Sequence, residues 1–187
     1  MARNIQDFIS RFDGGAKPNL FRVTVNPNSG FPISNPNIMN SDKSKGALVF
    51  MAKGAQLPES TVGEILVPYL GRQIKIPGDR VYADWTVTVM NNEDMELRKE
   101  FERWNAAING HQSNVSAAQN SGQLYTWVKQ STAKIEQLGR HGRPTHTYDI
   151  YGIFPREIST IDLAYDQNDV ISEFSVTFAY TYHQPVL

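Results

Sequence analysis

The residues of this sequence best suited to chemistry are carboxylates. The stretch GDRVYADWTVTVMNNED (78–94) holds Asp79, Asp84, Glu93 and Asp94, and a second group, Asp162, Asp166 and Asp169, lies further on. Two carboxylates held about 5–10 Å apart across a cleft can hydrolyse a glycosidic bond, and Asp79, Asp84, Asp162 and Asp166 are the candidates for such a pair. Each acid of the first stretch also has a local structural task. Asp79 follows Pro77-Gly78 in a turn, and Asp84 stands at the mouth of a strand. Glu93 and Asp94 open a helix, where the helix dipole favours negative charge. The structural reading is preferred.

The other chemical groups lead to the same place. Four histidines, His111, His141, His146 and His183, lack the i, i+4 spacing of a helical zinc site, and there is no cysteine to assist them. Asp166-Gln167-Asn168-Asp169 with Glu173 lacks the glycine and ligand spacing of a calcium loop, and is read as a hairpin turn. Arg140-His141-Gly142-Arg143 can touch phosphate but reads as a solvated turn. There is no nucleophile elbow, phosphate loop or dinucleotide fingerprint. The residues therefore predict no catalytic, cofactor-binding or metal-binding site and no enzyme.

Composition narrows the class. Eighteen basic and nineteen acidic residues leave a net charge of −1 in 187 residues, unlike a protein whose main task is gripping nucleic-acid phosphates. Zero cysteines exclude disulfides and suit a reducing compartment. The sequence carries neither a signal-peptide core nor the roughly 20-residue apolar run of a membrane span, so a soluble protein without a membrane anchor is expected. Asn114-Val115-Ser116 matches a glycosylation pattern that has no use without secretion. The length fits a single domain, 1–187.

The elements that must position these residues follow from periodicity. Ile5, Phe8, Ile9 and Phe12 share one helical face, and Gly14-Gly15 ends it; this is expected to be a short docking helix. Phe21, Val23 and Val25 alternate with Arg22 and Thr24 in a strand spanning 19–25. Residues 26–46, rich in Pro, Asn and Ser, form a long loop. Strands are expected at 47–53, 61–69 and 72–77, the last two joined by a tight turn at Leu70-Gly71, and a further strand alternates through Trp85, Val87 and Val89. Asn91 or Asn92 caps a helix with Leu97, Phe101, Trp104 and Ile108 on its apolar stripe, and with Asp94–Arg98 and Arg98–Glu102 pairs on its surface. Residues 109–123 read as loop, and 124–136 and 145–153 as strands around GRHGRP. Ile161, Leu163 and Tyr165, then Phe174 to Tyr182, alternate as two long facing strands. About eight strands and two helices without βαβ alternation predict a mainly β (α+β) fold, an antiparallel sandwich or barrel with one packed amphipathic helix. The long Thr-, Val- and aromatic-rich strands suit pairing with another subunit, the best hairpin candidates being 61–76 and 124–151.

GDRVYADWTVTVMNNED followed by an amphipathic helix ending in FERW resembles the tail tube proteins of contractile-tailed bacteriophages. KPNLFRV (17–23), LPESTVGEILVPYLGRQIKIPGDR (57–80), YGIFPREI (151–158) and DLAYDQNDVISEFSVTFAYTY (162–182) continue the resemblance in order over about two-thirds of the chain. The resemblance implies a structural virion protein that catalyses nothing. Its homo-hexameric rings would stack into the inner tail tube, with hairpins joining across subunits into one barrel. It implies as partners the tail sheath, baseplate, tail terminator and tape measure proteins, with double-stranded DNA passing transiently through the lumen. It also implies a place in the virion tail after assembly in the bacterial host cytoplasm. The segments 26–46 and 109–143 extend the family pattern, and allow a baseplate-proximal tube initiator. An inner tube protein of a type VI secretion-like system shares the fold, and a β-sandwich glycosidase is the enzymatic alternative.

Overall fold

Alternating apolar residues give this chain its strands, and the computed structural model, which describes residues 4–12, 15–33, 47–118 and 122–186, sorts most of them into two sheets. The elements run α1 (Ile5–Phe12), β1 (Phe21–Asn26), α2 (Ala47–Met51), β2 (Ala52–Ala55), β3 (Ser60–Tyr69), β4 (Arg72–Tyr82), β5 (Trp85–Met90) and α3 (Glu96–Ile108). They continue with α4 (Leu124–Gln130), β6 (Thr132–Leu138), β7 (Pro144–Tyr151), β8 (Phe154–Ile158), β9 (Glu173–Ala179) and β10 (Tyr182–Val186). One four-stranded sheet has the order β1-β6-β7-β10 and the other β2-β5-β9-β8; β3 and β4 form a separate two-stranded ribbon. All pairings are antiparallel. The expected mainly β fold is present.

The inward faces of the two sheets share one core. Val23, Val25, Ile135 and Ile150 of the first sheet belong to it with Trp85, Val87, Val89, Phe174, Val176 and Phe178 of the second. Helix α3 adds Leu97, Phe101 and Trp104, as its stripe predicts. Phe101 meets Phe174 and Phe178 edge-on, at centroid distances of 6.3 and 5.8 Å, and Phe31 bridges the Trp104 and Trp127 rings. Glu100 is also buried on α3, held by Arg103 at 2.5 Å.

Two adjacent crossings join the sheets. β7 passes into β8 at Gly152 (φ 68°), and β9 passes into β10 at Thr181, whose amide donates to the Tyr151 carbonyl at 3.0 Å. A Cβ on Gly152 would collide with the Thr181 hydroxyl, so both the backbone conformation and the close approach require glycine there.

Several expectations need correction. Residues 47–53 do not form one strand: Ala47–Met51 is helical, and pairing with β5 begins at Ala52. A five-residue apolar run does not distinguish helix from strand, and Ala, Leu and Met favour the helix. Residues 124–136 divide likewise, because Leu124, Trp127 and Val128 have helical spacing and Ser131, whose hydroxyl donates to the Trp127 carbonyl at 2.9 Å, ends α4 before β6. The alternation at Ile161, Leu163 and Tyr165 forms no strand. Leu163 and Tyr165 are fully exposed, and β9 instead takes Phe154–Ile158 as its outer neighbour. The facing strand from Phe174 to Tyr182 is two strands, since the chain changes sheet after Ala179.

Helix α3 begins later than expected. Its N-cap is Met95 (φ 51°), and Asn92 Oδ1 accepts the Glu96 amide at 3.2 Å, so Glu93 and Asp94 precede the first turn. Arg98 binds Glu102 at 2.8 Å and the Ser159 carbonyl at 3.1 Å rather than Asp94. The described residues thus contain ten strands and four helices where about eight and two were expected. Most of the 26–46 loop, from 34 to 46, and residues 119–121 of the second loop lie outside the described residues.

Candidate functional site

The candidate acids do not assemble a cleft. Asp79 lies on β4 at the irregularity of the ribbon, where the register shifts between Val62 and Glu64. Asp84 is ion-paired with Arg156, and Asp162 and Asp166 sit in the exposed segment between β8 and β9. Among the described residues no three His, Cys, Asp or Glu side chains are grouped as metal ligands. His111 and the Arg140-His141-Gly142-Arg143 turn are exposed.

The unusual feature is the β3–β4 ribbon. Leu70 (φ 45°) and Gly71 (φ 79°) make its turn, the pair of positive φ values that suits a two-residue hairpin. Directly paired residues share a face, so Ile65/Ile76, Val67/Ile74 and Tyr69/Arg72 lie on one side and Glu64/Pro77, Leu66/Lys75 and Pro68/Gln73 on the other. The second side is mixed and carries a Glu64–Lys75 ion pair at 2.8 Å. The first is aliphatic up to its tip, yet none of the described residues covers it: Ile65 is 54% exposed and Ile74 50%. Such a contiguous exposed apolar face marks a surface for another molecule. Pro68 and Pro77 each lack the amide that a further strand would use, which limits pairing along the ribbon's edges.

The ribbon is fixed at its base by an aromatic cluster. Tyr82, the last residue of β4, contacts Tyr180 at 5.9 Å and His183 at 5.1 Å, and Tyr148 lies between His183 (5.6 Å) and His146 (4.6 Å). The Tyr180 hydroxyl donates to the Glu59 carbonyl at 3.3 Å and lies 3.4 Å from His183 Nδ1. Burial, then Tyr82, Asp84 and Glu59, raise the Tyr180 pKa; burial, then Arg80, lower that of His183. Sequence reasoning missed this cluster. Its signal, aromatic residues at 82, 148, 180 and 183, becomes meaningful only once β9 and β10 are known to lie in different sheets.

Two further surfaces complete the picture. The outward face of the β1-β6-β7-β10 sheet is charge-balanced, with Arg22–Glu136 at 3.4 Å and Lys134–Asp149 at 3.6 Å. Helix α1 exposes its whole apolar stripe, Ile5, Phe8, Ile9 and Phe12.

Comparison with known proteins is consistent across sequence and structure. A family model described as phage tail tube protein matches residues 16–185. The tail tube protein gp19 of Enterobacteria phage T4 is 28% identical over 181 residues, spanning 95% of this chain and 98% of that protein. The tail tube protein of Serratia phage KSP90 is 27% identical over 172 residues, spanning 92% and 89%. In fold, the chain resembles a subunit of an extracellular contractile injection system, the PVC sheath-tube complex in its extended state, with a TM-score of 0.58, 13% identity and 99% of both chains covered. It also resembles a chain of the sixfold-symmetrised baseplate of the anti-feeding prophage, with a TM-score of 0.60, 10% identity and coverage of 91% and 95%.

Proposed function

This chain belongs to the phage tail tube protein family, a structural family that catalyses no reaction, and from that premise we propose that it forms hexameric rings stacking into the inner tube of a contractile tail. The whole chain acts as one tail tube domain, with 26–46 and 109–123 as outgrowths and no catalytic, cofactor or metal residues. The tube lies inside a sheath, runs between baseplate and terminator, holds the tape measure protein during assembly and conducts double-stranded DNA into the host. The subunits assemble in the host cytoplasm and end in the virion tail.

The observation that carries this reading is the ribbon whose apolar face none of the described residues covers. A two-stranded ribbon is marginal by itself, so the sequence has a reason to retain it only where a neighbour completes it. Closed rings satisfy every such face at once. Sixfold symmetry is supported by the description of the anti-feeding prophage baseplate, whose fold is similar. The charge-balanced outer sheet face suits a conduit, because a lumen studded with unmatched cations would hold DNA instead of releasing it. Near end-to-end correspondence with the T4 tube protein favours a tube subunit over a tube initiator.

Negative-stain electron microscopy of the purified protein tests the reading. The expected result is tubes or stacked rings with sixfold end views. A protein that stays monomeric at every concentration, together with normal tails on particles lacking it, would overturn it.

A further inference from the structure

Two apolar faces are left bare among the described residues. Ile5, Phe8, Ile9 and Phe12 lie at i, i+3, i+4 and i+7 of α1, and each is more than half exposed. Phe8 and Phe12 stack at 5.3 Å, so the stripe presents a continuous plate. The second face is the aliphatic side of β3–β4, with Ile65, Val67, Ile74 and Ile76 leading to Tyr69.

Resting on the tube reading above, we propose that α1 of one copy packs across the aliphatic face of the β3–β4 ribbon of a neighbouring copy. Each element needs what the other offers. An isolated helix shorter than about 12–15 residues is marginal in water, and α1 has eight. A two-stranded ribbon needs a further strand or a packed helix for stability. The dimensions agree: eight helical residues rise about 12 Å, and the five ribbon residues 65–69 extend about 16 Å. Face packing fits the ribbon better than edge pairing, because Pro68 and Pro77 interrupt its outer amides. Among the described residues of one chain the two faces leave each other uncovered, and a second copy brings the missing face to each.

The chain contains no cysteine, so an introduced pair reports without background. A disulfide forms only where two Cα atoms come within about 7 Å. Ile9→Cys and Ile74→Cys, placed on the same chain and assembled into tubes checked by microscopy, should on oxidation convert the monomer band to a ladder of covalent multimers. Ile9→Cys with Gln73→Cys, on the opposite ribbon face, should remain monomeric. An unchanged monomer band from intact tubes, an intrachain product, equal cross-linking by the Gln73 control, or preferential cross-linking of Ile9→Cys to Leu163→Cys would overturn the proposal. Should the double variant not assemble, hydrogen exchange on wild-type tubes decides. Amides of 5–12 and 64–77 exchange far more slowly than in dispersed subunits if the packing exists, and equally fast if it does not. A wild-type protein that forms no tubes at all contradicts the tube reading instead.

Discussion

Tyr82 meets His183 edge-on with ring centroids 5.1 Å apart, and this contact ties the foot of the ribbon to the strand that closes the first sheet. Tyr180 and Tyr148 pack around the same imidazole. The direction in which the ribbon leaves the body is therefore set by groups from β4, β7, β10 and the β9–β10 crossing. One of those groups is a histidine.

The pH dependence follows from that contact. His183 is held below the ordinary histidine value of 6.5, first by burial and then by the Arg80 cation. Tyr82, Tyr148 and Tyr180 pack around the imidazole, and Arg80 is the charged group that acts on it. As pH falls below 6.5, the unfolded chain takes up the proton first. Stability is then complete above that value and declines as pH drops through the depressed folded value. The thermal midpoint of the dispersed subunit should fall between about pH 7.5 and pH 5, and His183→Gln should flatten that slope. An unaltered slope in the variant would assign the acid sensitivity elsewhere.

Trp104 is completely buried between α3 and the second sheet, in contact with the Phe31 and Phe178 rings. Trp104→Ala should cost about 3–5 kcal/mol in denaturant unfolding of the dispersed subunit. Its indole N–H has no hydrogen-bond partner among the described residues, so Trp104→Phe removes an unsatisfied donor along with some volume and should cost much less. Equal losses in the two variants would mean that ring volume is not what the site requires.

Asp84, a candidate acid in the glycosidase reading, is paired with Arg156 in a setting where their side chains are 37% and 64% exposed. An exposed pair of this kind contributes about 0–1 kcal/mol, so Asp84→Asn should leave unfolding nearly unchanged. A loss of more than about 3 kcal/mol would show that this carboxylate is structurally essential in a way a surface pair is not.

What the sequence revealed divides along physical lines. Strands with one buried face, such as Trp85–Met90 and Glu173–Ala179, were legible because alternation and burial coincide in them. The α3 stripe was legible for the same reason, and so was Asn92, whose side chain accepts the Glu96 amide; the exact start was not, because the chain first passes through Met95 in a left-handed conformation. Ala47–Met51 was unreadable because a short apolar run suits either periodicity. Leu163 and Tyr165 misled, since alternation carries no information where neither side is buried. The break after Ala179 depends on Gly152 and Thr181 meeting in space, a fact invisible to local spacing. The ribbon was expected at 61–69 and 72–77 and runs longer, through Tyr82. Its separation from both sheets emerges only from the topology.

A side-chain-resolution map of the assembled particle is the most direct test of the claim that the bare ribbon face exists for a neighbouring copy. The account predicts Ile65, Val67, Ile74 and Ile76 of each subunit sealed beneath residues of another subunit, ring after ring. A map in which those four side chains face water in the finished tube would contradict it.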